Sequence, residues 1–214
     1  MNITDPGIDR YILNLSLEAQ LVESDQVLRD MEAYAKRHHF PIIGPLVGRF
    51  LRQLAIISSA KNIFEMGSGF GYSAIWFAGG MAEGGKIICT EGSLENKDMA
   101  MGYLKRAGVS DRVEFQVGDA LEIIKNYPGP FDIILNDIDK EQYPEAFDVA
   151  IPRLKKGGIF ITDNVLWSGR IFDAKPNEAT KGILEFNRKL FESKAIFSSI
   201  IPIRDGLGIA VKHS

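Results

Sequence analysis

Apolar and polar positions along the chain follow two regimes. Up to about Leu54 the apolar residues recur at helical intervals, with Ile8, Ile12, Leu15 and Ala19 on one stripe and Val27, Met31 and Tyr34 on another. Pro41, Gly44 and Pro45 interrupt this region before a further helix through Phe50, Leu51 and Leu54. Beyond it, short apolar runs alternate with longer amphipathic ones. Asn62–Met66, Lys86–Thr90, Arg112–Val117, Phe131–Asn136 and Ile159–Thr162 read as strands. Tyr72–Met81, Leu94–Ala107 and Ala120–Asn126 read as helices, as do a segment from Tyr143 to Leu154 and one containing Ile183–Phe191. Phe197–Ile203 and Gly208–Val211 close the chain as two strands. Their connection is too short for a crossover, so they predict an antiparallel hairpin. Strand–helix alternation predicts an α/β fold with a doubly wound, mostly parallel sheet and one reversed strand near its edge. Ligands of such sheets lie beyond the carboxyl ends of the strands, where the chemistry is to be sought.

Composition narrows the classes. At 214 residues, one domain is the simplest division, and 13 Phe with 6 Tyr furnish a core without staples. The single cysteine, Cys89, excludes a disulfide scaffold and a cysteine-built zinc or iron–sulfur site. A net charge of -3 speaks against a strongly basic nucleic-acid binder while leaving room for a local basic patch. No apolar run has the length of a membrane span, and Met1–Arg10 lacks the basic start and apolar stretch of a secretory signal. The expectation is a cytoplasmic, soluble protein that takes no membrane partner.

The first strand ends in Glu65-Met66-Gly67-Ser68-Gly69-Phe70-Gly71, which opens a helix. Glycines there permit a tight turn and close approach of backbone to a ligand. The dinucleotide fingerprint would need glycine where Tyr72 stands. The spacing instead suits a cofactor without a pyrophosphate, held by backbone and a carboxylate. Glu91, at the end of the second strand, is placed to accept from both hydroxyls of a ribose. Asp119 and Ala120 follow the third strand, where an adenine edge would lie. The glycines alone would equally make a plain turn. Three strand ends carrying Gly67, Gly69, Gly71, Glu91 and Asp119 together point to a nucleoside.

A second set follows the next two strands. Asp137 comes after the fourth; Asp163 and Asn164 come after the fifth. Two carboxylates and an amide are hard oxygen ligands that suit Mg2+, or alternatively Mn2+ or Ca2+, with water or substrate oxygens completing the shell. Taken singly, each could be a turn or helix cap. Lys140, three residues beyond Asp137, can act as a base beside a divalent cation.

These residues carry a resemblance. Phe131 to Ile171, with its Asp-x-Asp-Lys and Asp-Asn-x-Leu-Trp elements, resembles the cation-dependent, S-adenosylmethionine-dependent O-methyltransferases, the group of caffeoyl-CoA and catechol O-methyltransferases. The likeness runs from about residue 30 to the C-terminus. It implies a class I methyltransferase, Rossmann-like sheet of seven strands with the last antiparallel. Residues 1–54 would form a helical cover and 55–214 the cofactor-binding core of a single domain. It further implies that Asp137, Asp163 and Asn164 hold the metal and that Lys140 is the catalytic base. S-adenosylmethionine would meet Glu65, Gly67, Gly69, Gly71, Ser73, Glu91, Asp119, Ala120 and Asp137, with Ser73 at its carboxylate. Trp167 would border the acceptor, and the protein would be a homodimer. Met31–Ile42 and Ile200–Leu207 are similar to a bacterial branch that includes tRNA 5-hydroxyuridine methyltransferases, although Arg204 stands where that branch more usually has glycine.

The expected reaction is methyl transfer to the hydroxyl of a catechol-like or other small hydroxylated acceptor. A 5-hydroxyuridine in tRNA is the competing acceptor. Lys36, Arg37, Arg49, Arg52, Arg170 and Arg204 are the candidate RNA contacts, each of which could equally be a plain solvated charge. A non-catalytic cofactor binder would have no need of the Asp137, Lys140, Asp163 and Asn164 set, and Tyr72 spoils a dehydrogenase reading. His38, His39 and His213 match no triad or metal spacing. Cys89, Trp76 and Phe77 read as core.

Overall fold

A computed structural model describes residues 5–18 and 23–213, with side chains given for 5–15 and 26–213. Ala19 of the first apolar stripe lies outside the described residues. The helices are α1 (Pro6–Glu18), α2 (Glu23–His38), α3 (Gly44–Ser58), α4 (Tyr72–Ala78), α5 (Leu94–Arg106), α6 (Ala120–Ile123), α7 (Tyr143–Ala150) and α8 (Glu178–Glu192). The strands are β1 (Asn62–Met66), β2 (Lys86–Glu91), β3 (Val113–Val117), β4 (Phe131–Asn136), β5 (Leu154–Thr162), β6 (Ile196–Ile201) and β7 (Leu207–Lys212). Among the described residues, no helix is long and apolar enough to cross a membrane.

The sheet runs β3-β2-β1-β4-β5-β7-β6. The first five of these strands are parallel, and β7 is antiparallel to both β5 and β6. This is the seven-stranded, doubly wound architecture expected from the alternation. Order reverses between β1 and β4, which opens a crevice at their carboxyl ends. The antiparallel register pairs Thr162 with Gly208 and Ile200 also with Gly208. The turn between β6 and β7 therefore sits at the same carboxyl edge as the end of β5.

Several boundaries differ from the apolar pattern, for local reasons. α4 stops at Ala78 because Gly79-Gly80 follow, where Arg52 and Ala55 of α3 press close. Leu154 opens β5 rather than ending a helix, since Pro152 lies in a single 3-10 turn that terminates α7. β6 stops at Ile201, before Pro202, which cannot donate to a ladder.

Two apolar layers cover the sheet. One joins α2, α3, α4 and α5 to one face through Met31, Val47, Leu51, Phe77 and Leu104. The other joins α6, α7 and α8 through Phe64, Tyr143, Phe160 and Phe186. Trp76, Phe77 and Cys89 are buried, as their positions suggested. The stripe of α1 is not core: Ile8, Tyr11, Ile12 and Leu15 are exposed. His38 ends α2 and stacks on Tyr34 at 4.2 Å, and His39 takes the left-handed turn after it.

Candidate active site

A cavity of about 1030 Å³ lies over the carboxyl ends of the parallel strands, roofed by α2 and by the 40–43 segment. Its wall includes Gly67, Gly69, Ser73, Glu91, Asp119, Ala120, Asp137, Lys140, Asp163, Asn164 and Trp167. Residues spread over a hundred positions of sequence thus meet in one place.

The glycine loop is shaped by contacts as much as by any ligand. Gly67 has φ +81°, and a Cβ on it would stand 2.5 Å from the Asp137 carbonyl oxygen, so only glycine lets this loop cross the end of β4. Gly69 faces Phe40 of the roof, and Gly71 packs against Ala100 of α5 rather than lining the cavity. Glu65 is wholly buried beneath the loop. It accepts from the Ser73 hydroxyl at 3.1 Å and from Cys89 Sγ at 3.4 Å. Burial raises its pKa to about 7. Glu65 therefore underpins Ser73, and Ser73 carries the polar surface toward the cavity. Thr90 ties the loop down by donating to the Glu65 carbonyl at 2.8 Å and accepting from the Gly67 N–H at 3.2 Å.

Glu91 projects from the end of β2. Its Oε1 accepts from the Asn96 side chain at 3.0 Å and the Ser93 N–H at 3.1 Å. This fixes the carboxylate and leaves Oε2 for a ligand with paired hydroxyls. Asp119 caps α6, accepting from the Leu121 N–H at 2.7 Å, so its capping role is realised alongside its place at the cavity edge.

Asp137, Asp163 and Asn164 come together at the other end. Asp163 is buried, its Oδ1 has no hydrogen-bond partner, and Asp137 keeps about a quarter of its side chain (26%) toward the cavity. Burial and mutual repulsion push the Asp163 carboxyl up, and burial pushes Asp137 up too. Two crowded, buried carboxylates of this kind are favoured in their ionised form by a cation placed between them. Asn164 sits at φ +60° and donates its amide N–H to Asp205 Oδ2 at 3.4 Å, which fixes the side chain and leaves its amide oxygen uncommitted to that bond. Among the described residues no group of three His, Cys, Asp or Glu gathers to hold a metal, so the candidate set is two carboxylates and an amide. An orphaned buried carboxylate oxygen in an all-oxygen set fits a hard divalent cation.

Lys140 Nζ donates to Asp137 Oδ1 at 2.9 Å and to the Ile138 carbonyl at 3.1 Å. It lies 5.0 Å above the Tyr143 ring and 5.9 Å from the centroid of Trp167. Trp167 walls the cavity with its indole N–H buried and unpaired.

Sequence reasoning missed several contributors. Asp205 braces Asn164 and also accepts from the Ser168 N–H. Tyr143 donates to the Asp163 carbonyl at 2.9 Å, and Asn96 holds Glu91. Asp205-Gly206 reads only as a turn, and nothing local shows that it returns to β5.

The proposed RNA contacts separate. Lys36, Arg37, Arg49 and Arg170 are exposed, and Arg170 stacks 5.2 Å over Trp167. Arg52 packs beneath Gly79 and Gly80, and Arg204 donates to the Ile43 carbonyl inside the cavity wall.

Comparison with known proteins agrees with this geometry. The sequence profile of an O-methyltransferase family matches residues 18–213. A catechol O-methyltransferase of Niastella koreensis is 32% identical over 96% of this chain and 96% of its own. Caffeoyl-CoA O-methyltransferase 1 of Arabidopsis thaliana is 30% identical over 96% of this chain and 84% of its own. The crystal structure of a Bacillus cereus O-methyltransferase in complex with SAH superposes with a TM-score of 0.86, at 28% identity, over 96% of this chain and 97% of that one.

Proposed function

Because the chain belongs to this O-methyltransferase family, we propose that it transfers the methyl group of S-adenosylmethionine to one hydroxyl of a small vicinal diol, with a divalent cation at Asp137, Asp163 and Asn164. The observation that carries the metal half of this reading is the buried Asp163 Oδ1 without a partner, in a cavity wall that also holds Asp137 and Asn164. When bound, a divalent cation supplies Lewis acidity that favours the ionised form of a hydroxyl and aligns it.

The chain's own residues do the rest. Glu91, fixed by Asn96 and Ser93, accepts from the ribose hydroxyls. Ser73, at the start of α4 and held by Glu65, lines the end of the cavity that takes the methionine part of the cofactor. The Gly67–Gly69 backbone passes under the cofactor, and Trp167 flanks the acceptor ring. The reaction forms a C–O bond to the acceptor oxygen and breaks the C–S bond to the methyl. The hydroxyl proton passes to Lys140 Nζ in its neutral amine form. Holding donor methyl and acceptor oxygen in line supplies much of the rate.

The proposal includes a homodimer, for which the exposed stripe Ile8, Tyr11, Ile12 and Leu15 on α1 offers an apolar face. A tRNA 5-hydroxyuridine acceptor is the second reading, favoured by exposed Lys36 at the cavity lip with Arg37 beside it. One experiment separates them: purified protein with labelled S-adenosylmethionine and Mg2+ or Mn2+, offered either a catechol panel or hydroxyuridine-containing tRNA, with and without excess chelator. Label should enter the diols and vanish with chelator. Label in tRNA alone would overturn the small-molecule assignment, and undiminished transfer in chelator would overturn the metal.

A further inference from the structure

Resting on the function proposed above, we infer that Arg204 makes the acceptor end of the cavity selective for diols that carry a carboxylate. Arg204 enters from the turn between β6 and β7. Its Nη1 donates to the Ile43 carbonyl and stands 3.8 Å from Asp163 Oδ2. The guanidinium therefore bridges the helical cover and the edge of the sheet. Gly44 packs beside it, where a Cβ would make an ordinary contact 3.5 Å from Arg204 Nε. The side chain is 35% exposed and lines the cavity, and among the described residues its Nε and Nη2 have no hydrogen-bond partner.

The charges around it are unequal. Lys36 shares the cover-side wall with Arg204. The one acid lining that side from α2, Glu32, is engaged by the Tyr72 hydroxyl at 2.7 Å, and burial holds its carboxyl above the ordinary range. Glu91 and Asp119 stand at the ends of β2 and β3. Asp163, the nearest acid, belongs to the set that fits a cation, and a cation there takes up its charge. The Arg204 guanidinium faces the acceptor space with donors to spare beyond its contact with Asp163, and a guanidinium fork matches a carboxylate in plane. Its place under the cover makes it reachable from inside the cavity, not by a polyanion lying on the surface.

The test compares ortho-dihydroxybenzenes that differ only in the ring substituent: 3,4-dihydroxybenzoate, catechol and an aminoethyl catechol. In the wild type, kcat/KM should favour the carboxylate over neutral catechol by about tenfold, with the cationic acceptor poorest. Arg204→Gln should bring the ratio close to one, and Arg204→Lys should retain most of it. Calorimetry of the same acceptors on the SAH-bound protein should give the same order without turnover. SAH affinity and the thermal midpoint report whether each variant is folded, and the wild-type ratio tests the inference with no variant at all. A wild-type ratio near one would overturn it. So would an equal loss for all acceptors in Arg204→Gln, which would make Arg204 a support for Asp163 alone. Diols methylated without regard to charge would sink this inference and spare the proposed function. Diols neither bound nor methylated would sink both.

Discussion

Individual side chains divide the labour at this site, and single substitutions should separate it. Lys140→Ala should lower turnover by about 10²–10⁴-fold while SAH binding measured by calorimetry stays nearly unchanged. Loss of SAH affinity would instead give Lys140 a structural role through its bond to Asp137. Asp205→Ala removes the acceptor for the Asn164 amide and the Ser168 N–H. Affinity for Mn2+, read by titration, should fall by about 10–100-fold. Glu65, Glu91, Asp137, Lys140, Asp163 and Asn164 were legible because each follows or ends a strand that the apolar pattern marks. Asp205 was not, and Arg204 was read only as a candidate RNA contact, because their partners lie far off in the chain and local pattern carries no record of them. Glu65 was legible as important but not as buried beneath the loop, since the residue type alone does not say whether it meets a ligand or a serine.

At the level of elements, the strands were the most readable feature. β1 and β4 match the expected bounds residue for residue, because strands buried on both faces are rich in apolar residues, here broken only by Asn62, Glu65, Asp132 and Asn136. Helix ends were less readable where packing decides them. The contact of α3 with α4 is the clearest case. Gly48 lies under the Trp76 ring, and a Cβ on it would stand 2.2 Å from Nε1. Gly48→Ala should therefore destabilise by about 1–3 kcal/mol through overpacking. A lower urea midpoint at constant slope would show it. Unchanged stability would mean that Trp76 swings aside freely. The exposed stripe on α1 carries the opposite lesson: helical periodicity identifies an apolar face but not what covers it.

For the whole molecule, the buried acids set how stability responds to pH. The Glu65 carboxyl ionises near 4.5 when unfolded and near 7 when folded. Between those values the folded chain holds more protons than the unfolded one, so stability falls as pH rises. Asp137 and Asp163, also raised, act in the same direction. In chelator, the thermal midpoint should drop from about pH 5 to pH 7, and Glu65→Gln should flatten part of that slope. Added Mn2+ should offset the drop, because a cation takes the place of protons on the acid pair. A midpoint that rises across this interval would contradict the burial of these groups.

The reversal of β7 also sets an order of assembly. Asn164 and its brace Asp205 are 41 positions apart, with α8 and β6 made in between. During synthesis the cofactor half of the sheet can fold while the chain is still growing. The end that holds Asp137, Asp163 and Asn164 cannot be braced at that stage, because the turn carrying Asp205 is made only after α8 and β6. A nascent chain stalled before Asp205 would thus carry the glycine loop and Glu91 in place while Asn164 still lacks its brace.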